Sequence, residues 1–157
     1  MKGLQSLTDL FKRHITDEKN LMVWAENGVV FSAQGDGVDG FDIEYTAVVL
    51  VQDERLIPET LFMHVVNWLN QYDPERQEKG LAMPTFAAEP LDKGKFDFKL
   101  TLDIREEYSL IADDQGDWKQ RGERFRCESD FAAVVDESEL GELVHFVGHL
   151  DDLPCQP

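Results

Sequence analysis

The sequence predicts an α+β fold: a mainly antiparallel four-stranded sheet covered by helices, in two layers. Three observations carry this. Residues 41–52 and 96–105 alternate apolar and polar with the period of a strand, and residues 58–71 carry an apolar stripe at helical spacing. The connections between strand-like segments are short and rich in turn residues, as antiparallel neighbours require. A chain of 157 residues with 42% hydrophobic composition is long enough to bury one core.

Taken in order, Leu4, Leu7, Leu10, Phe11 and Ile15 fall on one face of a short amphipathic helix that closes at residues 16–20. Residues 21–25 and 29–33 are β-prone and flank Asn27-Gly28. Both of these residues tolerate positive φ, so the spacing predicts a hairpin there. The glycine-rich loop 35–40 lacks the Lys-Ser/Thr ending of a phosphate loop and opens a strand, so it reads as a flexible turn. Phe41, Ile43, Tyr45, Ala47, Val49 and Val51 then line one face of a long strand, and Val48 and Leu50 make its end apolar on both faces. Pro58 suits the first position of a helix bearing Leu61, Phe62, Val65, Val66, Trp68 and Leu69, which ends at Tyr72-Asp73-Pro74.

Residues 81–88 read as a strand whose Pro84 calls for an edge position or a bulge. The strand should pair as a hairpin with 96–105, where Phe96, Phe98, Leu100, Leu102 and Ile104 alternate with charged or polar residues. Signals weaken beyond Tyr108. Residues 113–117 form a loop, 122–127 a short strand, 131–135 an apolar patch, and Asp136 and Glu139 can cap a helix through Leu140, Leu143, Val144 and Val147. The expected organisation is a domain over 1–112, with 113–157 a C-terminal extension packed on it or trailing from it.

Charge is the strongest compositional signal. Thirty-two acidic against fifteen basic residues give a formal net charge of −17. Such a surface repels nucleic-acid backbones and anionic membranes, so neither specific nucleic-acid binding nor a membrane partner is expected. No apolar run approaches a bilayer-spanning length and the first residues carry no signal-peptide pattern, so the expected location is the cytoplasm. Cys127 and Cys155 stand apart, without the spacing of a disulfide framework or a metal clip.

The chemistry-bearing candidates are few. His145, His149, Asp151, Asp152 and Cys155 are the one cluster of metal-type residues, but Gly148 weakens the helix they would need and their order fits no familiar module. No serine sits in a glycine-flanked elbow, and acids are too numerous for any carboxylate pair to stand out. The expectation is no catalytic residue, no metal and no cofactor. Trp24 and Trp68 fall within regular apolar patterns and read as core. Trp118 stands in a polar loop and is a candidate for anchoring a partner.

Several stretches, in this order, carry a resemblance: Trp24-Ala25-Glu26-Asn27-Gly28-Val29-Val30; Phe41-Asp42-Ile43-Glu44-Tyr45-Thr46 leading into Val48-Val49-Leu50-Val51-Gln52-Asp53; Val66-Asn67-Trp68-Leu69-Asn70-Gln71-Tyr72-Asp73-Pro74; Glu78-Lys79-Gly80-Leu81; and Phe96-Asp97-Phe98-Lys99-Leu100-Thr101-Leu102 with Glu106-Glu107. From Leu21 to about Glu107 the chain resembles the tail completion protein R (GpR) family of temperate contractile-tailed phages. The segment after Asp113 finds no clear counterpart.

The resemblance implies a non-catalytic virion component, with a domain similar to those of phage tail terminators. It would finish the tail and allow head–tail joining. The implied partners are tail tube and head-completion proteins and further copies of the chain in a ring. The implied locations are the host cytoplasm during assembly and then the virion tail. In such a ring Asp36 and Asp39 are the candidate acidic wall, and with Trp118 they make up the candidate interaction surface. Two other readings compete: an acidic inhibitor that imitates DNA, resting on charge alone, and a hydrolase built on the C-terminal His/Asp/Cys cluster.

Overall fold

The computed structural model describes residues 1–32 and 40–131. Its elements are α1 (Lys2–His14), β1 (Leu21–Ser32), β2 (Phe41–Glu54), α2 (Pro58–Tyr72), β3 (Thr85–Pro90), β4 (Phe96–Ala112), β5 (Trp118–Gln120) and β6 (Glu123–Ser129), with single 3-10 turns at Glu18–Asn20 and Asp92–Gly94. All pairings are antiparallel. The strand order is β1-β2-β4-β6-β5, and β3 joins β4 beside this path.

The described residues therefore form a six-stranded sheet curled into a half-barrel with two α-helices, which replaces the expected four-stranded sheet covered by helices and its terminator-like layering. The difference arises in β4. It runs on to Ala112, well past the alternating stretch, and its far end pairs with β6. β6 carries the short strand expected over residues 122–127, whereas the three residues of β5 are too few to show a strand period. Because β3 pairs with residues 96–101 of β4 and β6 with residues 108–112, both lie on the same edge of β4. Arg76 covers part of the gap between them. Its Nη1 donates to the Asp103 carbonyl (2.7 Å) and to Asp73 Oδ2 (2.8 Å), and its Nε donates to the Ala82 carbonyl (2.8 Å). A buried guanidinium is tolerated where its donors and its charge are answered in this way.

The Asn27-Gly28 hairpin is overturned as well. β1 runs unbroken from Leu21 to Ser32 against β2, and its register shifts between Glu26 and Val29. Glu26 faces Thr46 and Val29 faces Glu44, so two residues of β1 oppose Tyr45 alone: a β-bulge. Asn27 has φ 56°, so the tolerance for positive φ is real but serves the bulge and not a turn.

One face of the sheet holds the core: Tyr45, Ala47, Val49 and Val51 of β2 and Phe98, Leu100, Leu102 and Ile104 of β4, packed on Leu7 and Phe11 of α1 and on Leu61, Val65 and Trp68 of α2. These contacts match the predicted stripes of both helices and both central strands except at Val66, which belongs to the predicted α2 stripe and is exposed. Trp24 departs from expectation. It opposes Val48, which belongs to the other face, stays 37% exposed, and its indole donates to Glu26 Oε2 (3.2 Å).

Candidate interaction surface

The surface is held in place by an internal anchor. In the inward-facing register of β4 the position after Ile104 is Glu106, only 1% exposed. Its Oε1 accepts from the Gly3 amide (3.0 Å) and the Tyr45 hydroxyl (2.6 Å). Its Oε2 accepts from the Lys2 amide (2.9 Å) and the Tyr108 hydroxyl (2.9 Å). The two amides belong to the first turn of α1, where no intrahelical acceptor exists, and the negative charge sits at the positive end of the helix dipole. Burial first, and the carboxylate second, hold the Tyr45 hydroxyl far above its ordinary pKa and push Tyr108 up to about 12.

Gly3 makes the approach of α1 possible. A Cβ there would stand 3.1 Å from Ile104 Cγ2, 3.1 Å from Phe131 Cε2 and 3.2 Å from Glu106 Oε1. Farther along α1, Ser6 Oγ accepts from the Trp68 indole (3.0 Å) and ties α2 to the same sheet face. Phe131 stacks on Tyr72 at 5.4 Å, which brings the chain after β6 back over the helices.

Among the described strands three edges are open: the outer sides of β1, of β5 and of β3, the last blunted by Pro84 and Pro90. At one end β1 pairs with β2 alone, and beyond the bulge it exposes Val29, Val30 (69%) and Phe31 (46%). Its outer face is acidic there. Asp42 and Glu44 flank Arg105, which donates to Asp42 Oδ2 (2.7 Å), opposes Glu44 and lies 5.9 Å over the Phe31 ring, and Glu26 stands on the same face opposite Thr46. At the other end β5 and β6 form a two-residue hairpin through Arg121 (φ 53°) and Gly122 (φ 92°), the pair of positive φ values that a type I′ turn needs. This hairpin carries Lys119, Arg121, Arg124 and Arg126 against Glu123 and Glu128, a local positive excess in a chain of net charge −17. Lys119 and Arg124 stand directly opposite each other across the ladder.

Trp118 begins strand β5 and does not lie in the expected loop; it is 62% exposed and faces Phe125 in register. Asp36 and Asp39 lie outside the described residues, as do the His145, His149, Asp151, Asp152 and Cys155 cluster and the helix expected over 140–147. Among the described residues no three His, Cys, Asp or Glu side chains are arranged to hold a metal ion, and no helix is long and apolar enough to cross a membrane. Sequence reasoning missed Glu106, and of the cationic hairpin it found only the short strand expected over 122–127 and neither β5 nor the turn. Glu106 was legible as a carboxylate in the core phase of an alternating strand, and the hairpin as the basic run between residues 119 and 126.

The outer edges of β1 and of the β5–β6 hairpin thus differ in charge, and both present exposed apolar groups. A family model described as P2 phage tail completion protein R (GpR) matches residues 1–126, so the likeness extends across β5 and into β6, well past the 21–107 stretch that carries the resemblance in the sequence. No curated protein and no solved structure matches the chain.

Proposed function

The chain belongs to the P2 phage tail completion protein R family, and on that premise we propose that it completes the phage tail by subunit–subunit contacts at the tail end, so that a head can join. The observation that carries this reading is the family match over residues 1–126, which spans every described helix and strand except the last residues of β6. The family is a structural component of phage tails, and the role proposed here is mechanical and non-catalytic.

Further copies of the chain form a ring on the tail axis, contacting the tail tube on one side and head-completion proteins on the other. The net charge of −17 gives such a ring a use. A lumen lined by carboxylates repels the phosphate backbone and lets DNA pass without the counterion release that holds a DNA-binding protein in place. The same charge opposes association of free subunits, so assembly waits for the tail tube as a template.

The test is genetic and biochemical. A phage carrying an early stop codon in this gene should accumulate filled heads and separate tails, and purified protein added to the lysate should restore joined particles. Joined, infectious virions formed without the protein contradict the reading.

A further inference from the structure

We infer that neighbouring copies join by continuing the sheet, the β5–β6 hairpin of one copy docking on the outer edge of β1 of the next. The inference rests on the proposal that copies assemble at the tail end, and it names the surfaces that meet.

Edges come first. An open strand edge is a template for pairing, and proteins blunt edges they do not use with proline, lysine, bulges or shortness. β3 is blunted by Pro84 before it and Pro90 at its end; β5 is shorter still, three residues with Lys119, so charge and not edge length must carry the hairpin's side of a contact. β1 is twelve residues long and contains neither proline nor lysine, and its bulge leaves residues 29–32 extended. That last stretch carries Val29, Val30 and Phe31, three of the exposed large apolar side chains.

Charge selects the occupant. The outer face of β1 and β2 carries Glu26, Asp42 and Glu44, of which Asp42 is paired with Arg105. The hairpin places Lys119 opposite Arg124, with Arg126 two residues along the same face of β6. Like charges facing each other across a ladder are destabilising, and an anionic partner removes that cost. Arg124 also donates to the Gly116 carbonyl (2.9 Å) and Arg126 pairs with Glu128 (3.3 Å), so the hairpin's cations are held outward in defined positions.

The faces agree as well. Strand register puts Lys119 and Arg124 on the outer face with Glu26 and Glu44, and puts Trp118 on the inner face with Val30. When a sheet runs from one molecule into the next, outer face continues outer face. The cations then meet the acids, and Trp118 meets Val30. The two patches are different surfaces of one chain, so the contact is heterologous and propagates around a ring.

The test is disulfide cross-linking in assembled tails. The background is Cys127→Ser with Cys155→Ser, complementing a phage that lacks its own copy. Val30→Cys and Trp118→Cys are introduced singly and together. The double variant should oxidise to covalent multimers, and each single variant should stay monomeric. Adding Lys119→Glu with Arg124→Glu should reduce cross-linking roughly tenfold, the equivalent of 1.4 kcal/mol in contact free energy. Adding Glu26→Lys with Glu44→Lys to that variant should restore it. Protein present on tails without cross-linking in the double variant overturns the edge pairing and leaves the tail-end role standing. Self-cross-linking of Val30→Cys alone overturns it in favour of a two-fold contact. Protein absent from tails overturns both readings.

Discussion

The Glu106 carboxylate accepts the Gly3 amide at 3.0 Å although 103 residues separate them in the chain. One side chain of the longest strand thereby caps the first helix, and α1 is fixed against the inner sheet face. The rim that carries β1, β2 and the β5–β6 hairpin extends from the same part of β4. The anchor decides where the surface stands.

Glu106→Ala should be among the most damaging substitutions. It leaves two first-turn amides and two tyrosine hydroxyls without their acceptor in a buried setting. Hydrogen bonds to a charged group are worth about 1.5–3 kcal/mol, and a loss in or above that range is expected. Glu106→Gln, which keeps one acceptor oxygen, should lose less. Urea unfolding checks both, and a loss below about 0.5 kcal/mol for the alanine variant contradicts the anchor.

Gly3→Ala reverses the usual helix rule. Alanine in place of glycine within a helix gains about 1 kcal/mol from propensity. Here the new methyl meets a core isoleucine, an aromatic ring and the anchored carboxylate at 3.1–3.2 Å. None of these can easily retreat, and overpacking costs about 1–3 kcal/mol. A net destabilisation is predicted. Increased thermal stability would show that α1 stands farther from β4.

The two central strands and α2 were legible because alternation and helical stripes report burial directly, and residues 41–54 and 58–72 match the sequence pattern closely. Asn27-Gly28 misled because positive φ serves a bulge as well as a turn, and only pairing with β2 decides between them. Trp24 misled because its apolar neighbours mark a strand, whereas the bulge and register decide its face. Glu106 hid as one of two adjacent acids in an acidic chain. The β5–β6 hairpin is held by β4 and by close approaches such as Gly116, where a Cβ would come 2.1 Å from the Phe125 carbonyl oxygen, and these are contacts that no period encodes.

Trp68→Ala and Trp24→Ala should separate cleanly. Trp68 is buried in the core and bonded to Ser6, so truncation should cost about 3–5 kcal/mol. Trp24 lies on the outer face, half-exposed, and its loss should cost less than about 1 kcal/mol. Phe62, only partly buried against Phe86 and Phe98, should fall between them. Equal losses for the two tryptophans contradict the assigned faces.

Alkaline titration tests the tyrosines. Burial is the main reason that Tyr45, Tyr72 and Tyr108 all have a folded pKa above the ordinary value of 10.0. A group whose folded pKa is raised contributes stability that is complete below its unfolded pKa and is lost as pH rises toward the folded one. Stability should therefore hold up to about pH 10 and fall from there toward 12, with tyrosinate absorbance appearing together with unfolding. Three tyrosines ionising near their ordinary value in the folded protein contradict this.

The central claim is a structural role at the end of the tail. The measurement that tests it most directly is electron cryomicroscopy of assembled tails. The account predicts a closed ring of this chain on the tail axis at the head-proximal end, sheets continuous between neighbours and an acidic lumen. A single copy off the axis, or a ring whose lumen is basic, contradicts it.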